Sequence, residues 1–205
     1  MRFILSILLC TLAVNSFAQN FSGGVILGIS TTQVGGDNLG GFNKAGLLAG
    51  VFVNKSISSL LSLQMEMTYI QKGSNNPNMN NSEHPNFGIQ DISSSYTEIP
   101  LLIHYQQSEV IKIEGGILTG ILIDAYYKDN LGKINYGNTP PFIKYDFGLL
   151  LGINYKYSEK ISLNTRLSNS ILAIGTEDYT ATQSYNSSRK GKYNSVLSFA
   201  IHYNL

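Results

Sequence analysis

Cysteine, tryptophan and charge are what this 205-residue chain has least of. Its one cysteine is Cys10, tryptophan is absent, and Asp, Glu, Lys and Arg make up 13% of the residues, about half of the roughly 25% usual in soluble domains. A lone cysteine excludes a disulfide framework and a Cys-ligated zinc site. The charges nearly cancel, 14 basic against 13 acidic, so no global basic field exists to hold nucleic acid. Long hydrophobic runs are missing too. The uncharged apolar stretches at residues 115–123 and 147–155 are nine residues each. That is too short for a spanning helix, which needs about 20, but it suits a tilted transmembrane β-strand of about 9–11.

What is present begins with a leader. Arg2 precedes an apolar run over residues 3–14, and Ser16 and Ala18 are small residues at the −3 and −1 positions of a cut before Gln19. This is the pattern of a secretory signal peptide. Bulky Leu9 ahead of Cys10 argues against lipoprotein processing there. The expected organisation is a signal peptide over 1–18 and a single domain over 19–205. Removal of the leader takes away Cys10 and balances the formal charge, since Arg2 is its only charged residue.

Within the domain the dominant period is two. Leu61, Leu63, Met65, Met67 and Tyr69 alternate with Ser62, Gln64, Glu66 and Thr68. Ile161, Leu163, Thr165 and Leu167 alternate with Ser162, Asn164, Arg166 and Ser168, and Leu197, Phe199, Ile201 and Tyr203 with Ser198, Ala200, His202 and Asn204. Such segments are strands with one apolar and one polar face. Eight are expected, over roughly 21–32, 45–54, 59–72, 95–106, 110–127, 142–157, 160–172 and 192–205. The second, fourth and sixth connections are two to four residues long; the others are long and polar. Short turns at one end and long loops at the other are the layout of an up-and-down transmembrane barrel. The expected fold is all-β: an eight-stranded antiparallel barrel with apolar residues toward lipid and polar residues toward a narrow lumen. Both termini then lie at the short-turn, periplasmic end, with the loops extracellular.

Tyrosines on the apolar parity sort to the two ends. Tyr105, Tyr155, Tyr157 and Tyr203 lie near the short turns, and Tyr69, Tyr127 and Tyr145 near the long loops. They are expected to form two interfacial girdles. In YTEIPLLIHY (residues 96–105), Ile99, Leu101 and Ile103 then face lipid, while Glu98, Pro100 and His104 face inward. Pro100 lacks the N–H for a ladder bond and marks a bulge or a locally broken pairing.

The segments KAGLLAGVFV, LSLQMEMTYIQKGS, YTEIPLLIHY, IEGGILTG, YDFGLLLGINY and NSVLSFAIHYNL resemble the PorT-like outer-membrane β-barrel family along nearly the whole of residues 19–205. The most specific pieces are LQxExxYxQKG at residues 63–73 and xEIPLLxxY at 97–105. The resemblance implies an eight-stranded barrel in the outer membrane of Gram-negative bacteria. It supplies no catalytic motif, and one named member is tied to protein secretion.

The inward parity collects Glu66, Glu98, Lys112, Glu114, Asp124, Lys144, Asp146, Lys156 and Arg166. An eight-stranded barrel is only wide enough for side chains to fill, and buried charges must pair. The expectation is a structural ion-pair network of Glu66, Glu98, Glu114, Asp146, Lys144 and Arg166. Within it Glu66 and Glu98 lie side by side, and Arg166 reaches them across the lumen. Inward Leu102, Leu118, Leu122 and Leu150 complete the filling. His104 and His202 share the inward face near the short turns and His84 falls in a loop, which is not a metal-ligand pattern. GGILTG lacks the Gly-Lys-Ser/Thr of a phosphate loop, and no motif selects a nucleophile. No catalytic residue, metal or cofactor is expected. The expected partners are outer-membrane lipid and a protein partner at the extracellular loops 73–94 and 173–191. The expected function is a non-enzymatic structural or interaction barrel; the alternative is an accessory of secretion or transport, acting in a PorT-like role or as a narrow pore.

Overall fold

The computed structural model describes residues 21–36, 39, 41–75, 91–129, 132–134, 142–175 and 191–205. Residues 1–18, where a leader is expected, His84 and most of the two longest expected loops lie outside them. Eight long strands alternate in direction: β1 (Phe21–Gly35), β2 (Lys44–Ser56), β3 (Leu61–Asn75), β4 (Asp91–Gln106), β5 (Ile111–Asp129), β7 (Tyr145–Lys156), β8 (Ile161–Ser170) and β9 (Tyr193–Asn204). A two-residue strand, β6 (Gly132–Lys133), folds back on the end of β5. Each long strand pairs antiparallel with its neighbours in sequence, and β9 pairs with β1, which closes the sheet into a barrel.

The register sets the barrel's shape. A circuit leaving Gly23 passes Val53, Met65, Leu101, Ile117, Leu149, Asn169 and Ser195, and returns to β1 at Gln33. The displacement from Gly23 to Gln33 is the shear, ten residues over eight strands. With ordinary strand rise and spacing this corresponds to a tilt of about 40°.

Period two in the sequence becomes inside and outside in the barrel, with the usual polarity of a water-soluble core reversed. Leu27, Leu47, Met65, Met67, Ile103, Ile117, Leu149 and Ile201 are all exposed, and Leu151 reaches 69% exposure. Glu66, at 2%, is buried. An apolar surface this continuous requires an apolar surrounding.

The three short turns share one construction. Ser58, Ser108 and Ser158 each accept a hydrogen bond from the N–H three residues on (Leu61, Ile111 and Ile161) at 3.1 Å, while their own N–H groups donate to the carbonyls of the same residues. A serine hydroxyl that mimics a backbone acceptor fixes a tight turn locally. At the other end the strands outrun the expected boundaries, with β1 reaching Gly35, β3 Asn75 and β5 Asp129, and β4 starting at Asp91.

Two irregularities interrupt the ladder. Pairing of β3 with β4 lapses between Met65↔Leu101 and Thr68↔Glu98, opposite Pro100, without any change of register. The proline therefore breaks pairing locally, as a residue without an N–H must. Between β4 and β5 the register slips: Tyr96 faces Leu122 but Ser95 faces Asp124. Ile123 is the extra residue of a β-bulge, and parity inverts beyond it.

Candidate functional site

Two buried ion clusters cross the lumen, built on the inward positions. In the lower one, Arg166 on β8 forks onto Glu66 on β3, with Nη1 to Oε2 at 2.9 Å and Nη2 to Oε1 at 3.0 Å. β3 and β8 stand four strands apart either way round, so this pair spans the barrel's full width. Its Nε donates to Glu114 Oε1 on β5 at 2.7 Å. Asn164 Nδ2 donates to the same oxygen at 2.9 Å, Gln64 Nε2 donates to Glu66 at 2.7 Å, and His104 Nε2 lies 3.2 Å from Glu114 Oε2. Two carboxylates thus share one guanidinium, and neutral amides spread the remaining charge.

The upper cluster repeats this arrangement with a lysine. Lys72 Nζ on β3 sits 2.5 Å from Glu98 Oε1 on β4 and 3.0 Å from Asp146 Oδ2 on β7. Asp146 also accepts Ser170 Oγ at 2.6 Å and Asn194 Nδ2 at 2.8 Å. The Lys72 ammonium lies 4.9 Å from the centre of the buried Tyr96 ring. Glycines make room for both clusters. A Cβ on Gly152 would stand 2.5 Å from Glu114 Oε1, and one on Gly120 would stand 3.3 Å from Asp146 Cβ and from the Tyr96 ring.

Apolar layers fill the space around and above. Leu102, Leu118 and Leu150 form one; Ile26, Leu48, Phe52, Ile70, Tyr96, Val196 and Ala200 form another, with Leu122 against it. A third closes the long-loop end: Val34, Leu39, Ile92, Tyr127, Phe142 and Ile174.

Several expected placements are corrected. Glu98 does not pair with Arg166; the shear carries β4 so that Glu98 meets Lys72 while Glu114 takes the place beside Arg166. Lys144 is not in the network. It precedes β7, where alternation no longer orients side chains, and its exposed ammonium lies 5.8 Å from the Tyr145 ring centre. Tyr127 is not an outward girdle residue. Beyond the Ile123 bulge it turns inward, is 1% exposed, and its hydroxyl accepts from Lys192 Nζ at 2.7 Å. The same inversion puts Asp124 outside. Tyr69, Tyr105, Tyr145, Tyr155, Tyr157 and Tyr203 have exposed rings. Glu66, Glu114, Asp146 and Arg166 are buried in the lumen.

Lys72 was not anticipated, although the alternation through Glu66, Thr68 and Ile70 extends to it. Its position at the edge of a polar stretch hid it. Among the described residues no group of three or more His, Cys, Asp or Glu side chains could hold a metal ion.

Residues 17–174 match the family model described as outer membrane protein beta-barrel domain. No curated protein shows significant sequence similarity to the chain. Among solved structures, Ail, the attachment invasion locus protein of Yersinia pestis, aligns with a TM-score of 0.52 at 10% identity, over 90% of this chain and 98% of its own. The same protein in complex with the heparin analogue sucrose octasulfate aligns at 0.50 and 8% identity, over 90% and 99%. Neisserial surface protein A aligns at 0.51 and 12% identity, over 90% and 97%. At these identities the likeness is one of fold.

Proposed function

The chain belongs to the outer membrane protein beta-barrel domain family, and from that premise we propose that this outer-membrane barrel is a non-enzymatic interaction protein that contacts an envelope or extracellular partner through its long-loop end. The observation that carries this reading is the filling of the lumen. Two ion clusters and three apolar layers occupy its cross-section, which leaves an eight-stranded barrel no aqueous channel. The proposed contact surface is the long-loop end, beyond Asn75 and Gly175, since loops on a rigid scaffold are well placed to bind. In this reading residues 1–18 direct export and are removed, both termini are periplasmic, and the outward tyrosines sit at the two membrane interfaces.

A secretion accessory is the second reading. It rests on the PorT-like resemblance, whose two most specific motifs lie on neighbouring strands and meet through Lys72 and Glu98. Two measurements separate the readings. Refolded protein in planar bilayers should give no open-channel steps; a sustained conductance would overturn the closed lumen. Deleting residues 76–90 and 176–190 should spare folding and abolish the cell-surface phenotype. Should the phenotype survive that deletion and vanish in Lys72→Met, the secretion reading replaces the first.

A further inference from the structure

The short-turn end of the barrel is built differently from the sealed remainder. A polar vestibule of about 680 Å³ opens there, lined by Gln106, Lys112, Asn154, Lys156, Ser162 and Asn204 among others. Lys112, Asn154, Ser162 and Asn204 also line a smaller chamber of about 60 Å³ whose floor holds His104 and His202. The two spaces form one funnel that ends below the Arg166 cluster.

Two side chains that line the chamber, His202 and Lys112, are available to a ligand. His202 is 3% exposed, and its Nε2 has no hydrogen-bond partner among the described residues. Leaving a buried polar nitrogen unsatisfied is costly, so such a group calls for an occupant. The second is Lys112. No carboxylate lies within ion-pair distance of its ammonium among the described residues, whereas its neighbour Lys156 is engaged by Glu159 at 2.8 Å. The carboxylates in the funnel's wall, Glu109 and Glu159, line the outer vestibule and not the chamber, and Glu114, above the chamber, is held by Arg166 at 2.7 Å and approached by His104 at 3.2 Å. Asn54 and Gln64 are committed to the wall, Asn54 to Ser62 and Gln64, and Gln64 to Glu66. Among the residues that line the chamber itself, the one lysine, arginine or carboxylate side chain is Lys112, and the uncommitted group at its floor can carry an N–H donor.

We propose that this funnel binds a small oxyanion, the carboxylate or phosphate end of a ligand entering from the short-turn side, with Lys112 as its charge partner and His202 as the hydrogen-bonding group at its floor. The chamber suits the oxyanion head alone, and the wider vestibule receives what is attached to it. The site lies at the mouth opposite the long loops and does not depend on the loop-contact reading, so either can fail without the other.

The test uses the refolded full chain in detergent micelles with ¹⁵N-labelled histidine. Sodium phosphate and sodium acetate are titrated separately against sodium chloride at equal ionic strength, and the His202 ring signals are assigned by their loss in His202→Gln. A saturable shift of those signals is expected with at least one of the two oxyanions, and at least tenfold weaker binding in Lys112→Met. Lys160→Met, outside the funnel, should bind as the parent does. Response to acetate alone identifies a carboxylate ligand, and response to phosphate alone a phosphorylated one. Absence of any saturable shift beyond chloride overturns the site, as does unchanged affinity in Lys112→Met. If that variant fails to show the folded gel mobility, Lys112→Gln serves in its place under the same criterion.

Discussion

Arg166 shows what a single residue carries in this lumen. Its guanidinium satisfies Glu66 twice and Glu114 once, at 2.7–3.0 Å, with all three side chains buried. Arg166→Ala leaves two carboxylates without their cation in a space that water does not readily enter. Breaking a buried pair from one side costs about 3–5 kcal/mol. The urea midpoint of the refolded barrel in lipid vesicles should fall well below that of Leu167→Ala, which shortens an outward side chain on the same strand. Equal midpoints would mean that Arg166 does not hold the cluster together. Gly152 belongs to the same account, because Glu114 Oε1 occupies the space a Cβ there would need.

At the scale of the element, β5 carries the feature that most changes the map of the molecule. Ile123 is surplus to the pairing with β4, and every residue after it faces the side opposite to the one simple alternation assigns. Deleting Ile123 removes the surplus while Leu122 stays inward and Tyr127 keeps its place against Phe142, 5.4 Å away ring to ring. The shortened strand should therefore still fold, with the same unboiled gel mobility as the parent. Deleting Ile117 is the contrasting case. It lies below the bulge, so Leu118 would rotate out of its layer with Leu102 and Leu150, since a one-residue slip moves each side chain to the other face. The folded band should be lost. If both deletions behave alike, Ile123 is not the bulged residue.

For the whole molecule, closure is the dominant fact. Eight strands with a shear of ten residues leave no unpaired barrel wall through β1–β9 pairing, and a closed ladder resists detergent. The protein should fractionate with the outer membrane, and unboiled samples should migrate differently from boiled ones in detergent gels. Removal of residues 76–90 alone should leave that difference intact, because β3 ends at Asn75 and β4 starts at Asp91, and changes in loop length cost little. Recovery as a soluble periplasmic monomer would refute the membrane assignment.

Alternation and the connections together determined the fold class: a period of two, with apolar residues on one parity and Glu66, Glu98, Glu114 and Arg166 on the other, makes two-faced strands, and short turns at one end with long loops at the other arrange them as a transmembrane barrel. The missing N–H of Pro100 acts within its own ladder step, so its local break in pairing was also legible; the hydroxyl acceptors at Ser58, Ser108 and Ser158 emerged with the turns themselves. Which charges meet was decided only by the tertiary structure. Arg166 reaches Glu114 and Glu66, and Lys72 reaches Glu98 and Asp146, because the shear sets the relative height of strands far apart in the chain. The inward turn of Tyr127 and the outward turn of Asp124 likewise depend on a bulge that exists only where β5 pairs with β4. The funnel at Lys112 and His202 belongs to no single segment, since its walls come together only when the sheet closes.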